Sequence, residues 1–256
     1  MKRTPALICL IMIGLWGLYA DEIVLRKADD LRLEPHKFAT ADGSHIVFFS
    51  DISSGDRNIY CQKISPDARL LFTEPTVIVN DAGDQELLSV CPASDDSFFI
   101  LWADKEINKV NFIKIQKVSS SGVPLWGSGI QISHQPISLL RAQLVSDGAG
   151  GAFVAFQSAM HEAIIGQHLQ SDGQCLWSAT GSVLLNNDVY MRLVGMVTDE
   201  AGGFILNVKH SINSTWQCQL LRFSDAGIQI GDGPLIPPDT FPDSSYQIMP
   251  PVNGQY

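Results

Sequence analysis

The sequence predicts an all-β fold, a β-propeller-like array of four-stranded antiparallel blades, and two observations support this prediction. Four apolar segments begin at His45, Phe98, Ala152 and Phe204, with spacings of 53, 54 and 52 residues. The short apolar runs are rich in Val, Ile and Phe and are bounded by Gly, Asp and Ser, which is typical of strands. Because each propeller blade is one four-stranded sheet, equal spacing of four-strand units favours a propeller over a β-sandwich.

Each unit contains four short strands separated by three turns. A turn rich in Asp and Gly, such as Asp147–Gly151, follows the first strand, and these residues tolerate the positive φ of tight hairpins. The second strand is almost continuously apolar, which fits a sheet that is covered on both faces. The third strand follows a polar loop, and the fourth strand follows a second turn that contains a small residue.

An aromatic residue recurs four positions after this second turn. It is Phe72, Trp126 and Trp177 in the first three units, and Gly231 occupies the position in the fourth. An aromatic at one place in every blade usually packs between blades. We therefore interpret Trp126 and Trp177 as core residues rather than as sugar-stacking residues.

The repeats divide the chain into consecutive segments. Lys2 and Arg3, the apolar run that follows them and a small residue at Ala20 predict a secretory signal peptide, with an uncleaved membrane anchor as the alternative. The predicted segments are a signal peptide at 1–20, an N-terminal strand segment at 21–32 that includes Glu22–Leu25, blades at 33–85, 86–137, 138–190 and 191–243, and the start of a fifth repeat at 244–256. This restart predicts a truncated part of a larger propeller, and a closed four-bladed ring is the alternative.

The charge balance excludes some partners. Seventeen Lys and Arg residues stand against 27 Asp and Glu residues, and the formal net charge is −10. Such a surface repels the phosphate backbone of nucleic acids and anionic membranes. With the signal peptide removed, we expect a mature chain without a membrane span, secreted or located in the periplasm or at the cell surface.

No pattern in the sequence identifies a catalytic, cofactor-binding or metal-binding residue. The six histidines lack metal-ligand spacing, and no Ser lies in a G-x-S-x-G motif. Asp81 and Asp84 flank Gly83, but they lack the calcium-loop pattern, which favours a polar loop between blades. Disulfides and buried free thiols both remain open for the four cysteines that follow the signal peptide, Cys61, Cys91, Cys175 and Cys218.

The repeat unit resembles the blades of large secreted bacterial β-propeller proteins. The resemblance rests on the D-G-x-G-G turn at Asp147–Gly151, the strand end Leu101–Asp104, and the G-x-x-x-W turns at Gly122–Trp126 and Gly173–Trp177. It implies a propeller fold and does not specify a function. The repeat unit is also more weakly similar to quinoprotein-like propellers. It lacks the Thr of that family's turn, which argues against quinone binding.

These observations favour an exported non-enzymatic scaffold or binding module that contacts protein or glycan partners. The alternatives are a carbohydrate-active enzyme of glycosidase or lyase type with its site in the propeller channel, and a quinoprotein-like envelope assembly scaffold. An enzyme of the first kind needs a carboxylate pair. The predicted innermost strands are Phe38–Thr40, Leu87–Cys91, Leu139–Val145 and Leu193–Val197. These strands offer Arg141 and Arg192 nearby but no pair of carboxylates.

Overall fold

The structure is a computed structural model. It describes residues 8–10, 24–27, 35–52, 55–105, 111–133, 137–158, 163–186, 191–199, 201–212, 215–231 and 233. Seventeen strands occupy these ranges, and within them no helix is long and apolar enough to cross a membrane. Most of the predicted signal peptide and the predicted start of a fifth repeat lie outside the described residues.

The strands follow one another along the chain as short meanders. They are β1 Ile8–Leu10, β2 Val24–Lys27, β3 His36–Ala39, β4 His45–Asp51, β5 Asn58–Ile64, β6 Thr76–Val79, β7 Asp84–Pro92, β8 Ser97–Lys105, β9 Asn111–Ser119, β10 Ile130–Gln131, β11 Ile137–Ser146, β12 Ala152–Ser158, β13 Ala163–Leu169, β14 Ser182–Asn186, β15 Met191–Thr198, β16 Phe204–Ile212 and β17 Thr215–Phe223. β3–β6, β7–β10 and β11–β14 form three four-stranded antiparallel sheets, and β15–β17 form a three-stranded sheet. We call these sheets blades 1 to 4. The predicted all-β, propeller-like array of antiparallel blades is confirmed.

The predicted N-terminal strand segment at 21–32 contains β2. This strand begins at Val24 and pairs antiparallel with β1. The two strands form a separate two-stranded sheet.

The blades stack face to face through their second strands, which are buried on both faces. Phe98 and Trp102 of β8 face blade 1, whereas Phe99 and Leu101 of the same strand face blade 3. Phe153 of β12 packs on Phe204 of blade 4, with 5.0 Å between the ring centroids. The alternation follows from the pleat of a strand, because successive side chains point to opposite faces. One apolar seam therefore lies between each pair of adjacent blades.

A half-buried aromatic closes each seam over a glycine of the next blade. The ring of Trp177 in blade 3 lies on Gly227 of blade 4, where an added Cβ would stand 2.9 Å from the indole. The indole Nε1 also donates to the carbonyl oxygen of Asp225, at 3.0 Å. The same relation joins Phe72 to Gly122 and Trp126 to Gly173. The glycine is required at these positions because any side chain would displace the preceding aromatic.

A glutamine holds the backbone of each aromatic. In blade 3, Gln167 accepts a hydrogen bond from the backbone N–H of Trp177 at 3.1 Å and donates to the carbonyl oxygen of Ser178 at 2.9 Å. Gln116 and Gln62 make the corresponding bonds in blades 2 and 1. In blade 4, Leu221 takes the glutamine position and Gly231 the aromatic position, so the two residues are replaced together.

An ion pair recurs at the turn between the first and second strands. Each turn carries an aspartate whose carboxylate pairs with a basic side chain of the third strand. The pairs are Asp42–Lys63 at 2.8 Å, Asp95–Lys117 at 2.9 Å, Asp147–His168 at 3.0 Å and Asp199–Arg222 at 2.7 Å. The hydrogen bond from Lys63 holds the pKa of Asp42 well below its usual range. We call this end of the array, where the first strands finish, the lower end.

Candidate active site at the upper end of the array

The upper end of the array is the end at which the first strands begin and the second strands finish. The first strands of blades 2, 3 and 4 all break register there, between Leu87 and Ser89, between Ile137 and Ala142, and between Leu193 and Gly195. Bulges of this kind bend a strand and re-aim its side chains, and they are common beside active sites. The bulges turn the beginnings of three innermost strands relative to the rest of the array.

An acidic cluster occupies the upper end of blades 1 and 2. Asp104 is the last buried residue of β8, with an exposed fraction of 2%, and its carboxylate pairs with Lys114. Lys114 also lies 3.4 Å from Asp81. Burial lowers the pKa of Lys114, but the hydrogen bonds and negative charges of Asp104 and Asp81 outweigh that effect, and the pKa is raised. Lys114 therefore stays protonated beside Asp104.

Two facing residues of this cluster each carry a buried acceptor atom. Asp104 stands directly opposite Gln85 of β7, which is fully buried. The amide nitrogen of Gln85 donates to the carbonyl oxygens of Asp81 and Gly83, so its oxygen points elsewhere. Within the described part of the chain, neither the Oδ1 atom of Asp104 nor the Oε1 atom of Gln85 has a hydrogen-bond partner. Such atoms are costly in a folded protein, which makes this region a candidate site.

Glu86 is the carboxylate that the sequence prediction missed. The predicted innermost strand began at Leu87, but β7 begins at Asp84, directly after the turn at Gly83. Glu86 pairs with Lys105 at 2.8 Å and keeps 25% of its side chain exposed. The predicted innermost strand Leu87–Cys91 was therefore too short, and Glu86 lay just outside it. Residues 84–86 are polar, so the hydrophobic pattern did not mark them as part of a strand. In the structure they pair with the last residues of β8.

The two acidic residues of the candidate calcium loop have separate partners. Asp84 accepts a hydrogen bond from the backbone N–H of Arg57 at 2.9 Å, whereas Asp81 faces Lys114. The described residues contain no group of three or more His, Cys, Asp and Glu side chains that could hold a metal ion. The loop instead joins blade 1 to the beginning of β7, because the backbone N–H of Gln85 donates to the carbonyl oxygen of Arg57 at 2.7 Å.

A basic cluster occupies the upper end of blades 3 and 4. Arg141 of β11 reaches across to blade 4, where its Nη1 donates to the carbonyl oxygen of Leu193 at 3.4 Å. Arg192 of β15 stands opposite Lys209 of β16, and its guanidinium lies 4.6 Å from the ring centroid of Trp216. The sequence predicted the two arginines on innermost strands, and the structure adds Lys209 and Trp216 to them. Among the described residues of the upper end, acidic side chains therefore concentrate in blades 1 and 2 and basic side chains in blades 3 and 4.

The two predicted core tryptophans lie away from this end. Trp126 and Trp177 pack between blades in the lower half, beside the turns that follow the third strands. Cys61, Cys91, Cys175 and Cys218 are free thiols, and burial raises the pKa of Cys61 to about 12. A thiol that stays protonated is a poor nucleophile.

Comparison with known proteins finds likeness in structure only. No protein-family profile and no curated protein matches the chain. A putative exo-β-1,3-galactanase from Bifidobacterium bifidum superposes with a TM-score of 0.50 at 12% identity, over 83% of this chain and 73% of that one. A putative glycoside hydrolase from Parabacteroides distasonis gives 0.47 at 11% identity over 84% and 76%. An exo-β-1,3-galactanase from Phanerochaete chrysosporium gives 0.49 at 11% identity over 92% of this chain and 55% of that one.

These neighbours correct the main functional prediction. A non-enzymatic scaffold was expected, but the fold superposes on that of a putative exo-β-1,3-galactanase, which favours the alternative of a carbohydrate-active enzyme. At 12% identity the likeness to the Bifidobacterium protein shows the propeller-like fold alone. The finer resemblances to secreted bacterial repeat proteins and to quinoproteins stay predictions, as does a protein partner.

Proposed function

We propose that the protein is a carbohydrate-active enzyme that hydrolyses glycosidic bonds at the upper end of the array. The observation that carries the proposal is the half-buried carboxylate of Glu86 at the upper end of an innermost strand, on the same face of that strand as Asp84. The propeller-like fold shared with a putative exo-β-1,3-galactanase supports the same class of reaction.

Glycoside hydrolysis needs two carboxyl groups, because the leaving oxygen takes up a proton while positive charge develops on the sugar ring. Glu86 is partly exposed, and we assign proton transfer at the glycosidic oxygen to it. Asp104 is buried on the other face of β8 and is neutralised by protonated Lys114, so it supports the site without contacting the sugar. We assign the second carboxyl group to Asp84, which lies two residues before Glu86 on the same face of β7. Lys105 positions Glu86 through their ion pair.

The proposal predicts that Glu86→Gln abolishes most of the activity without unfolding the protein. A missing proton-transfer group typically lowers turnover by about 10²–10⁴-fold. The assay is the release of reducing ends from a panel of glycans that begins with β-1,3-galactan. Glu74→Gln is the matched control, because Glu74 lies in a connection away from the upper end.

Full turnover in Glu86→Gln would contradict the proposed role, and an absence of product from the whole panel would contradict the proposed function. Asp84→Asn should also lower turnover, but it weakens the hydrogen bond that Asp84 accepts from the backbone N–H of Arg57. Both variants therefore need a thermal melt beside the assay, because Glu86→Gln likewise removes the charged partner of Lys105.

We also propose that the protein is exported, as the basic, apolar and small-residue pattern of residues 1–20 indicates. An enzyme that acts on glycans of the medium or the cell envelope must reach them outside the cytoplasm. N-terminal sequencing of the protein from its native host should begin near Asp21. Intact Met1 on protein from the cytosol would contradict export.

A further inference from the structure

We propose that the connections after the third strands form a docking surface for a basic, amphipathic segment of a partner protein. The surface is a row of aliphatic side chains at the lower end of the array, one from each blade, with exposed carboxylates beside it. We call the four residues the aliphatic row, and they are Leu71, Leu125, Leu176 and Ile230. They lie at the end opposite to the candidate active site, so the inference goes beyond the proposed function and does not depend on it.

The four residues of the aliphatic row occupy one position of the repeat. The backbone N–H of each donates to a carbonyl oxygen of its own third strand at 2.7–2.8 Å, and the acceptors are Lys63, Lys117, His168 and Arg222. Each side chain of the row is between 43% and 49% exposed. The backbone therefore places one half-exposed aliphatic side chain on the lower rim of every blade.

Exposed apolar side chains are concentrated in these connections. Nine large hydrophobic residues of the described part of the chain are exposed, and seven of them lie between a third strand and the aromatic position that follows it. The seven are the aliphatic row together with Leu70, Val123 and Ile228. The other two, Val77 and Val183, belong to fourth strands. Single exposed apolar residues need no explanation, whereas a cluster of them marks an interaction site.

The packing of the blades does not require the aliphatic row. In blade 4, the glutamine and the aromatic of the other seams are replaced by Leu221 and Gly231. Ile230 nevertheless keeps the aliphatic position and is 43% exposed. A role in the seam would be expected to disappear with the seam residues, so a contact with another molecule explains this position better.

The connections are fixed to one another before any partner binds. The indole Nε1 of Trp126 donates to the carbonyl oxygen of Ser171 at 3.3 Å, and that of Trp177 donates to the carbonyl oxygen of Asp225 at 3.0 Å. These bonds join the connection of blade 2 to that of blade 3, and the connection of blade 3 to that of blade 4. A surface that is already ordered loses little conformational entropy on binding.

The charge of the connections selects the partner. Glu74, Asp172 and Asp225 are exposed in the connections of blades 1, 3 and 4. The one basic residue that the sequence places in the four connections is Arg69, and it pairs with Asp67 at 2.9 Å. Basic groups of a partner are therefore attracted to this rim, whereas an anionic membrane or a second copy of this acidic chain is repelled.

The test measures the binding of two labelled peptides of equal length by fluorescence anisotropy. In both peptides leucine recurs with the period of an amphipathic helix, and the other positions are lysine in one and glutamate in the other. We expect the lysine peptide to bind and its affinity to fall as salt is added, because salt screens exposed charges. The glutamate peptide should not bind.

Variants of the rim locate the binding surface. Leu176→Ser combined with Ile230→Ser is expected to raise the Kd for the lysine peptide about tenfold, because two aliphatic contacts are lost. Asp172→Asn should raise the Kd about two- to threefold, as is usual for an exposed ion pair. Val183→Ser is the matched control, since Val183 is 61% exposed but lies in a fourth strand. All of these side chains are exposed, so the thermal melts should be unchanged.

An unchanged Kd in the double variant, an equal loss in Val183→Ser, or equal binding of both peptides would overturn the proposal. Absence of binding by the lysine peptide would also overturn it, and two further measurements then identify the occupant. Dimers in size-exclusion chromatography that the double variant dissociates would indicate a second copy of this chain. Binding to phosphatidylcholine vesicles would indicate a lipid surface. Hydrolysis of glycans is measured separately, so the proposed function stands or falls on its own assay.

Discussion

Replacing Trp177 with alanine is expected to lower the free energy of unfolding by about 3 kcal/mol, the lower end of the range for a large aromatic because the ring is half-buried. Its ring packs between Phe153 and Phe204, with centroid distances of 6.4 and 6.3 Å, and so joins blade 3 to blade 4. The variant would open a cavity in the seam and remove the bond from Nε1 to Asp225. Chemical denaturation followed by circular dichroism measures the change.

Trp177→Phe separates the two contributions of this side chain. Phenylalanine keeps most of the packing and loses only the Nε1–H donor, so we expect a loss of about 1 kcal/mol. If Trp177 served glycan binding instead, the alanine variant would keep its stability and lose affinity. An unchanged unfolding midpoint for Trp177→Ala would contradict its role in the seam.

Replacing Gly151 with alanine is expected to destabilise the protein by about 3 kcal/mol, the upper part of the usual range for overpacking. An added Cβ would clash with the backbone carbonyl oxygen of Leu169 and lie 2.5 Å from Oδ2 of Asp147. The carbonyl belongs to the ladder and has no room to move. Asp147 would also lose its place as acceptor for the backbone N–H groups of Ala149 and Gly151.

Gly148→Ala is the control from the same turn. Gly148 has a φ of 76°, but a Cβ there meets nothing within 4 Å. Its cost is therefore the left-handed backbone conformation alone, about 1 kcal/mol. Equal losses for the two variants would show that backbone conformation rather than steric exclusion requires Gly151.

Much of the fold was predictable because the second strands carry an unambiguous signal. The apolar segments at His45–Asp51 and Ala152–Ser158 coincide with β4 and β12. A strand that is covered on both faces has no alternation of polar and apolar residues. A continuous apolar run bounded by turn residues therefore identifies such a strand well. The beginnings of the first strands were less visible, because β7 opens with the polar residues 84–86.

The candidate site was hidden for a different reason. Arg192 and Lys209 are far apart in sequence, and they meet only because the bulge at Leu193–Gly195 shifts the register by one residue. Without that shift, Arg192 would stand opposite His210. A bulge has little sequence signature, so the pairing could not be derived from spacing. The sequence did contain one signal of the upper end. Asp51 and Asp104 are 53 residues apart, at equivalent places near the ends of the second strands of blades 1 and 2, and both are buried.

The aromatic-on-glycine seams have a consequence for how such chains gain and lose parts. Each seam needs a ring from one repeat and a bare glycine from the next, and both come in standard positions. If blade 2 or blade 3 is deleted or duplicated as a whole, the new junction still joins a ring to a glycine, whereas blades 1 and 4 lack the glycine and the ring respectively. Recombination of the middle repeats as whole units therefore leaves no unmatched contact, whereas a crossover inside a repeat does. The seams thus fix the length of the genetic segment that can be exchanged without loss of folding.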